Sequence, residues 1–355
     1  MGMQKIIFLA AIVSSFSVRA EVPELKLPES IKITYRENKP SGHLQGVATD
    51  GKHMYLSYSA NILKSDWQGN VVKIIKTPLF DGLDDPKNNI PELRKKFNIR
   101  THHSGDCCFK NGKLYVAYSG SSFNRYLNGG FSYNYVYVFD SDLNFIRRHH
   151  VPDMEFGAGG ITFANGKFYL VGGRPAGVTG NTIYEYDCDF KLLKKHELKF
   201  NSQLGIQTIA WDGENFWIGC YKTNDFAILV DKNFQLSGVA KVVISTGLIN
   251  SSDRQTILYF RDVFKKNLIQ HNIAKRINVR DCKGDALFLK IDGKGNWLYN
   301  GKSVTAKEFQ TALHRKNYSK DILFITFAAN APQQEIANAV LAAQQIRITF
   351  QLLPE

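Results

Sequence analysis

In the segment His103-Ser-Gly-Asp-Cys-Cys-Phe-Lys-Asn-Gly-Lys-Leu-Tyr115-Val-Ala-Tyr-Ser119, an Asn-Gly pair joins two short apolar strands. Asn-Gly and Asp-Gly supply the positive φ angles that tight hairpin turns require, so the pattern predicts a β-hairpin. Three near-copies occur elsewhere in the chain, at His43–Tyr58, Gly159–Val171 and Gln207–Gly219.

The four hairpins keep a constant spacing, since the start of the first strand and the end of the second are fourteen residues apart in each. A degenerate fifth unit, Gly247 to Arg261, has the same spacing. A second hairpin follows each of the first four, and its turn begins at Asp66, Asp140, Asp187 or Asp231. Four strands in a period of about 40–50 residues are typical of a β-propeller. We therefore predict a mainly β chain with a five-bladed β-propeller at residues 21–274, and a six-bladed ring is the alternative.

Two segments lie outside this repeat. Ser30-Ile-Lys-Ile-Thr-Tyr-Arg36 alternates apolar and polar residues and predicts a strand. Because the fifth unit lacks a clear outer hairpin, we expect this strand to complete the last blade and close the ring. Residues 77–102 interrupt the period, and we expect an inserted loop with a short helix over one face.

The first twenty residues have the pattern of a secretory signal. Lys5 precedes an apolar run, Ile6–Val18, and small residues stand before a cleavage after Ala20. A permanent membrane anchor is the alternative. We predict a periplasmic or secreted protein, with no transmembrane segment in the mature chain.

The composition is that of a globular protein, with 44% hydrophobic and 22% charged residues and a formal net charge of +13. Export argues against nucleic acid as the partner of this basic chain. An acidic glycan or another anionic envelope polymer fits better, with an anionic membrane surface or an acidic protein as alternatives. A basic chain with no specific partner is the other interpretation.

The five cysteines leave at least one thiol without a partner inside the chain. Cys107 and Cys108 are neighbours on a strand, where their side chains point to opposite faces, and a disulfide between them would be strained. We expect most of the cysteines to be small buried residues, and their spacing does not suggest zinc. No cofactor and no metal site is predicted, and calcium at Asp140 and Asp142 is a weaker alternative.

Residues 275–355 follow another pattern, which predicts a small α+β domain with the order ββαβαβ. The expected elements are a hairpin from Asp285 to Lys302, a helix from Ser303 to Asn317, a strand from Asp321, a helix from Pro332 to Gln345 and a last strand from Ile346.

This domain resembles the periplasmic domain of the ExbD/TolR biopolymer-transport proteins. The resemblance rests on Ile291-Asp-Gly-Lys-Gly-Asn-Trp-Leu-Tyr-Asn-Gly-Lys-Ser-Val-Thr305, the strand from Asp321 and the helix Gln333–Ile346. In that family the domain binds partners and does no chemistry, which implies an envelope protein as the partner of this chain. The family has a transmembrane helix just before the domain and this chain does not, so a role in a proton-driven motor does not follow.

The propeller geometry also predicts a site. The first strand of each blade starts where the second ends, so these positions meet on one face of the disc, which we call the mouth. Cations there suit a carboxylate or sulfate, and histidine and tyrosine can move protons. The candidate ligand-binding residues are His43, Gln45, His103, Asp106, Tyr118, Arg174, Gln207, Lys222 and Arg261.

Three functions remain open from the residues alone. The first is an exported binding protein whose mouth takes an anionic ligand while its C-terminal domain docks a partner. The second is a polysaccharide-active lyase or hydrolase that uses His43, His103, Arg174 and Arg261. The third is a scaffold that makes only protein contacts. Solvated strand-end cations and structural histidines would explain the same residues without any site.

Overall fold

A computed structural model gives the fold of this chain. It describes residues 25–35, 40, 42–77, 99–122, 132–154, 156–174, 180–198, 200, 202, 205–220, 226–242, 244, 246–252, 254–264, 270–313, 320–346 and 348–354. The predicted signal segment and most of the predicted insert at 77–102 lie outside these residues.

Five antiparallel sheets form the blades of a propeller, which confirms the predicted fold class and blade number. The first three blades each contain four consecutive strands, which run in sequence order from the inner to the outer strand. Blade one has β2 (Leu44–Thr49), β3 (Met54–Tyr58), β4 (Asn61–Ser65) and β5 (Val71–Lys76). Blade two has β6 (Ile99–Lys110), β7 (Lys113–Ser122), β8 (Ser132–Asp140) and β9 (Phe145–His150). Blade three has β10 (Gly160–Ala164), β11 (Lys167–Val171), β12 (Asn181–Tyr186) and β13 (Leu192–Leu198).

Each of the last two blades includes one strand from a distant part of the chain. Blade four has β14 (Ile206–Trp211), β15 (Asn215–Cys220), β16 (Ala227–Asp231) and β17 (Leu236–Ala240), and β21 (Lys283–Gly284) pairs with its outer edge. Blade five has β18 (Leu248–Asn250), β19 (Thr256–Phe264), β20 (Gln270–Asn278) and the N-terminal strand β1 (Ser30–Thr34). The antiparallel pairing of β1 with β20 closes the ring as expected.

The inner hairpins of blades two and three turn at the predicted Asn-Gly pairs. Asn111 and Gly112 have φ angles of 50° and 74°, and Asn165 and Gly166 have 49° and 81°. Two consecutive positive φ angles match the right-handed twist of the flanking strands. Apolar side chains of neighbouring blades pack against each other in every seam of the ring, so the core is a set of layers between blades.

The C-terminal unit is a five-stranded mixed sheet with two helices on one face. After the one-turn helix α1 (Val279–Cys282) and β21, the chain runs through β22 (Ala286–Ile291), β23 (Trp297–Tyr299), β24 (Lys302–Val304), α2 (Ala306–Leu313), β25 (Ile322–Phe327), α3 (Gln333–Gln345) and β26 (Thr349–Pro354). The sheet order is β24-β23-β22-β25-β26, and β25 is parallel to both of its neighbours.

This unit differs from the predicted ββαβαβ order by one strand. Ser303 and Val304 pair with β23 instead of opening the helix, which begins at Ala306. Thr305 caps it: its Oγ1 accepts from the Glu308 N–H at 3.2 Å, and the Glu308 carboxylate accepts from the Thr305 N–H at 2.7 Å. This reciprocal pair is a capping box, and it places the helix start after the strand.

The second face of the C-terminal sheet packs on blade four. Phe324 stacks on Phe288 with 5.4 Å between ring centroids and meets the Phe226 ring edge-on at 5.8 Å. Phe324 and Ile322 belong to the same apolar cluster as Val239 of blade four. The C-terminal unit is therefore held by both main-chain pairing and aromatic packing.

Candidate functional site

Asp106 lies at the axis of the propeller and ties the inner strands together. Its carboxylate accepts from the main-chain N–H groups of Val47 at 3.2 Å, Cys107 at 2.8 Å and Ile209 at 3.2 Å. Its own N–H donates to the Gly159 carbonyl at 2.7 Å, so four blades meet at this residue. Burial raises the pKa of Asp106 well above its ordinary value, and the three N–H donors act in the opposite direction. Asp106 is buried among the inner strands of these blades.

Two glutamines meet across the mouth. The Gln207 amide donates to the Gln45 side-chain oxygen at 2.8 Å, and the Gln45 amide donates to Ser59 Oγ at 3.4 Å. Blades one and four supply these side chains, so the fold brings together two candidates that are distant in sequence. Gln45 is buried, and the bond fixes its orientation.

His43 and His103 are close enough to interact electrostatically at the mouth side of blades one and two. Burial, aided by the charge of His43, lowers the pKa of His103 to about 4. His103 is therefore neutral at pH 7 and able to accept a proton. A base with so low a pKa is weak near neutrality, which limits its value for proton abstraction.

Tyr118 lies in the seam between blades one and two. Its side chain is fully buried, and its ring lies 4.5 Å from the Tyr137 ring. The described geometry makes it a core residue below the mouth. A ligand at the mouth surface would meet it only through its neighbours.

Arg174 stands at the mouth edge of blade three, just after β11. Its guanidinium donates to the Gly180 carbonyl at 2.7 Å and to the Ser202 carbonyl. Burial lowers the pKa of Arg174, but an arginine stays charged in proteins. These bonds hold a partly buried positive charge in a defined position.

A cavity of about 240 Å³ opens beside this arginine. Its walls come from the mouth ends of the strands of blade three and from the segment that enters the blade. The polar residues of the wall are Arg174, Asn181, Thr182, Lys195 and Glu197, and the apolar ones include Met154, Phe156 and Tyr184. The Lys195 ammonium lies 5.3 Å from the centre of the Tyr184 ring, so an aromatic surface and a cation stand side by side.

Most residues of this cavity are absent from the sequence-based candidates. Tyr184 and Lys195 are direct cross-strand neighbours in the outer half of the blade, whereas the candidates lie at the ends of the inner two strands. One repeated residue could have pointed to the region. Asn134 and Asn181 each occur at the start of the third strand of their blade, and their side-chain amides hold the carbonyls of Met154 at 2.6 Å and Phe200 at 2.9 Å.

The three cations among the candidate residues of the mouth are Arg174, Lys222 and Arg261, and the structure describes them only in part. Lys222 lies outside the described residues. For Arg261 the main chain is described, and it pairs with Ile273 in blade five. Of the three cations, Arg174 alone has a described side chain, and the role of the other two stays a prediction.

Among the described residues, no group of three or more His, Cys, Asp or Glu side chains is arranged to hold a metal ion. Asp140 accepts hydrogen bonds within its own turn, and Asp142 accepts from Lys64 at 3.0 Å. All five cysteines are free thiols, of which Cys188 is exposed. No helix in the described part of the chain is long and apolar enough to cross a membrane.

Comparison with known proteins returned solved structures only. No protein-family model and no curated protein matches the chain. A GH43_1 enzyme from Xanthomonas citri is 13% identical, covering 69% of this chain and 91% of its own, with a TM-score of 0.45. CoXyl43, a GH43 β-xylosidase/α-arabinofuranosidase from a compost microbial metagenome, is 12% identical, with coverages of 71% and 98% and a TM-score of 0.43. RS223 β-xylosidase is 12% identical, with coverages of 69% and 96% and a TM-score of 0.43.

These similarities are too distant to carry a statement about substrate or residues. The propeller fold and its blade number rest on the sheet topology itself. None of the comparisons supports the resemblance of the C-terminal unit to ExbD/TolR domains, which stays a prediction.

Proposed function

We propose that this protein binds an anionic ligand, of the class of acidic glycans, at the mouth of its propeller. The observation that supports the proposal is the polar cavity of blade three, in which the Arg174 guanidinium is held by two main-chain carbonyls. Both carbonyls are neutral acceptors, so the guanidinium keeps its positive charge. The wall also carries the Glu197 carboxylate, and a ligand carboxylate or sulfate would lie on the side of Arg174 and Lys195, where it can accept charge-assisted hydrogen bonds.

The rest of the cavity suits a sugar. Asn181, Thr182 and Glu197 supply donors and acceptors for hydroxyl groups, and Tyr184 supplies an apolar surface. Sites for drug-sized ligands are about 300–1,000 Å³, so a cavity of about 240 Å³ fits one sugar unit better than an oligosaccharide. A uronic acid unit has the required carboxylate, hydroxyl groups and size.

Binding of polygalacturonate and of neutral dextran to the chain and its variants tests this proposal. Arg174→Gln is expected to weaken polygalacturonate binding by about 10-fold or more, since hydrogen bonds to charged groups contribute about 1.5–3 kcal/mol. Lys195→Gln should weaken it less, because Lys195 is exposed.

Lys194→Gln is the matched control. Lys194 is also exposed and is adjacent to Lys195 in β13. Its side chain lies on the opposite face of the strand, where Glu185 is its cross-strand neighbour in the register. Equal losses in the control and in Lys195→Gln, or equal binding of the acidic and neutral polymers, would contradict the proposal.

A lyase or hydrolase acting on an acidic glycan is the second candidate. The observation that favours it is that Ser59 joins the main chains beside both histidines, since its N–H donates to the His43 carbonyl at 3.1 Å and its carbonyl accepts from the Ser104 N–H at 3.0 Å. The same panel tests it, through release of reducing ends or of an ultraviolet-absorbing unsaturated uronate. Product that the parent releases and that His43→Gln and His103→Gln do not would establish an enzyme.

Docking of an envelope protein by the C-terminal unit also stays a proposal. Because one face of its sheet packs on blade four, a partner would have to use the helical face or the strand edges. We also propose that the protein is exported to the periplasm or outside the cell.

A further inference from the structure

Exposed apolar side chains are concentrated on one part of the propeller. Of the seven large apolar side chains that are exposed in the described part of the chain, five lie at the starts of the outer strands of blades one to three. They are Val71, Val72, Phe145, Ile146 and Leu193, and 37–54% of the surface of each residue is exposed. The remaining two, Leu341 and Leu352, belong to the C-terminal unit.

The position recurs with the repeat. Each apolar pair follows the turn that begins at Asp66, Asp140 or Asp187, and basic residues come after it. The three strands read Val71-Val-Lys-Ile-Ile-Lys, Phe145-Ile-Arg-Arg-His-His and Leu192-Leu-Lys-Lys-His. In blade four the equivalent strand is Leu236-Ser-Gly-Val-Ala, which has no cation, and β21 covers its edge.

The three outer strands form one continuous surface. The Lys73 ammonium reaches the Asp142 carbonyl and the Asn144 side chain, which join blade one to blade two. The His149 ring lies 4.6 Å from the Phe190 ring, which joins blade two to blade three. We call this surface, made of the five exposed apolar residues with Arg147 and Lys194, the apolar-basic rim.

Protection of the sheet edges does not explain the rim. Lysine or arginine on an edge strand discourages pairing with another chain, but exposed bulky apolar residues have the opposite effect. An apolar side chain that stays exposed loses the stabilisation that burial would give it. Repetition of the pair in three blades makes it a feature of the repeat and not an isolated exposed residue, and clustered exposed apolar residues are typical of interaction surfaces.

We propose that the apolar-basic rim docks on an anionic lipid bilayer. Fourth strands begin at the face opposite the mouth, so the apolar pairs line the edge of that face and can enter the headgroup boundary together. Arg147 and Lys194 are exposed next to them and would meet lipid phosphates. The turns beside the rim also carry acids. Asp66, Asp140 and Asp187 accept hydrogen bonds from the N–H groups of their own turns, which offset part of their charge. The Asp142 carboxylate accepts from the Lys64 ammonium at 3.0 Å, and Asp189 is exposed. The mouth would then face away from the bilayer.

Co-sedimentation of the full chain with lipid vesicles tests the proposal. Vesicles of phosphatidylcholine alone are compared with vesicles that also contain phosphatidylglycerol. We expect binding to the second kind, weakened by added salt. The triple variant Val72→Ser, Ile146→Ser, Leu193→Ser should lose about tenfold or more in partitioning. Arg147→Gln with Lys194→Gln should lose about fivefold for each cation, the equivalent of the ~1 kcal/mol that an anionic leaflet contributes per basic residue.

Two matched controls isolate the rim. Leu341→Ser with Leu352→Ser removes exposed apolar residues elsewhere, and Lys302→Gln with Lys307→Gln removes exposed cations of the C-terminal unit. Both controls should bind as the parent does.

Three results would overturn the proposal. The first is no binding to either kind of vesicle, and the second is an equal loss of binding in the rim and control variants. The third is a parent chain that self-associates through the rim in sedimentation and does not bind vesicles. The last result would make the rim an interface between copies of the chain.

Discussion

Asp106 shows how a single buried carboxylate can organise a ring of sheets. Gly46 lies against it so closely that a Cβ at this glycine would be 2.1 Å from the Asp106 carboxylate oxygen. Gly105 directly precedes Asp106, and a Cβ at this glycine would be 2.1 Å from the Gly159 carbonyl oxygen. Main chains of different blades can therefore come close enough to share one acceptor only because these positions carry no side chain.

Replacement of Asp106 by alanine tests this role. Three buried N–H groups would lose their acceptor, and a buried unsatisfied donor costs about 1–3 kcal/mol. We expect the free energy of unfolding to fall by about 3 kcal/mol or more, measured by urea denaturation. Asp189→Ala, at an exposed site, serves as the control. A loss below about 1 kcal/mol at Asp106 would mean that water replaces the carboxylate.

At the scale of elements, one turn recurs in four blades and again in the C-terminal unit. Its first residue is an aspartate whose carboxylate accepts the N–H groups two and four residues later, at Asp66, Asp140, Asp187, Asp231 and Asp292. Its fourth residue has a positive φ, which glycine adopts easily at Gly69 and Gly295. Leu143 and Phe190 adopt it as well, and their buried side chains offset the strain.

The turn of blade three contains its own control. Asp187→Ala removes the acceptor of two N–H groups, at 2.9 and 2.8 Å, and we expect it to lower the free energy of unfolding by about 1–2 kcal/mol. Asp189→Ala keeps the Asp189 N–H that the turn uses, so it should change stability by less than about 0.5 kcal/mol. Thermal unfolding of both variants measures the difference. Similar losses in the two would assign the turn's stability to its main chain alone.

In the whole molecule, the position of the C-terminal unit is explained by how each exposed edge strand is protected from pairing with another chain. Outer strands of blades one to three carry cations, and β1 of blade five carries Lys32. The outer strand of blade four has no charged residue, and it is the one on which β21 and the C-terminal sheet lie. A covered edge needs no charge, because no other chain can reach it.

A chain that ends at Asn278 tests this arrangement. Without β21 and the C-terminal sheet, the uncharged edge of β17 is open, and we expect concentration-dependent self-association in light scattering. Adding Ser237→Lys to the shortened chain should restore a monomer, since Ser237 is exposed on that strand. If the shortened chain stays monomeric without the lysine, the edge is protected by other means.

The local elements of this protein could be predicted from its sequence, because they depend on residues close together in the chain. Asn-Gly turns, alternating strands and a constant register predict the hairpins and the five blades. The closing role of β1 is a long-range contact, and it was predicted by counting strands, since the fifth unit lacks an outer hairpin. The capping of α2 was less visible, since Thr305 and Glu308 form the cap only after Ser303 and Val304 have paired in a sheet. The mouth was predicted as a location, but the residues that line its cavity were mostly missed.

Contacts between blades and between domains were decided by the tertiary structure alone. Asp106 and Ile209, Gln45 and Gln207, and Phe226 and Phe324 are each separated by roughly a hundred residues or more. Such pairs depend on how far the blades rotate and how closely they approach, which no local pattern records. Residues close together in the chain specify which strands form and where they turn. Burial at the axis, the blade-three cavity and the cover on blade four arise only when the ring closes, because closure brings distant surfaces together and removes water between them.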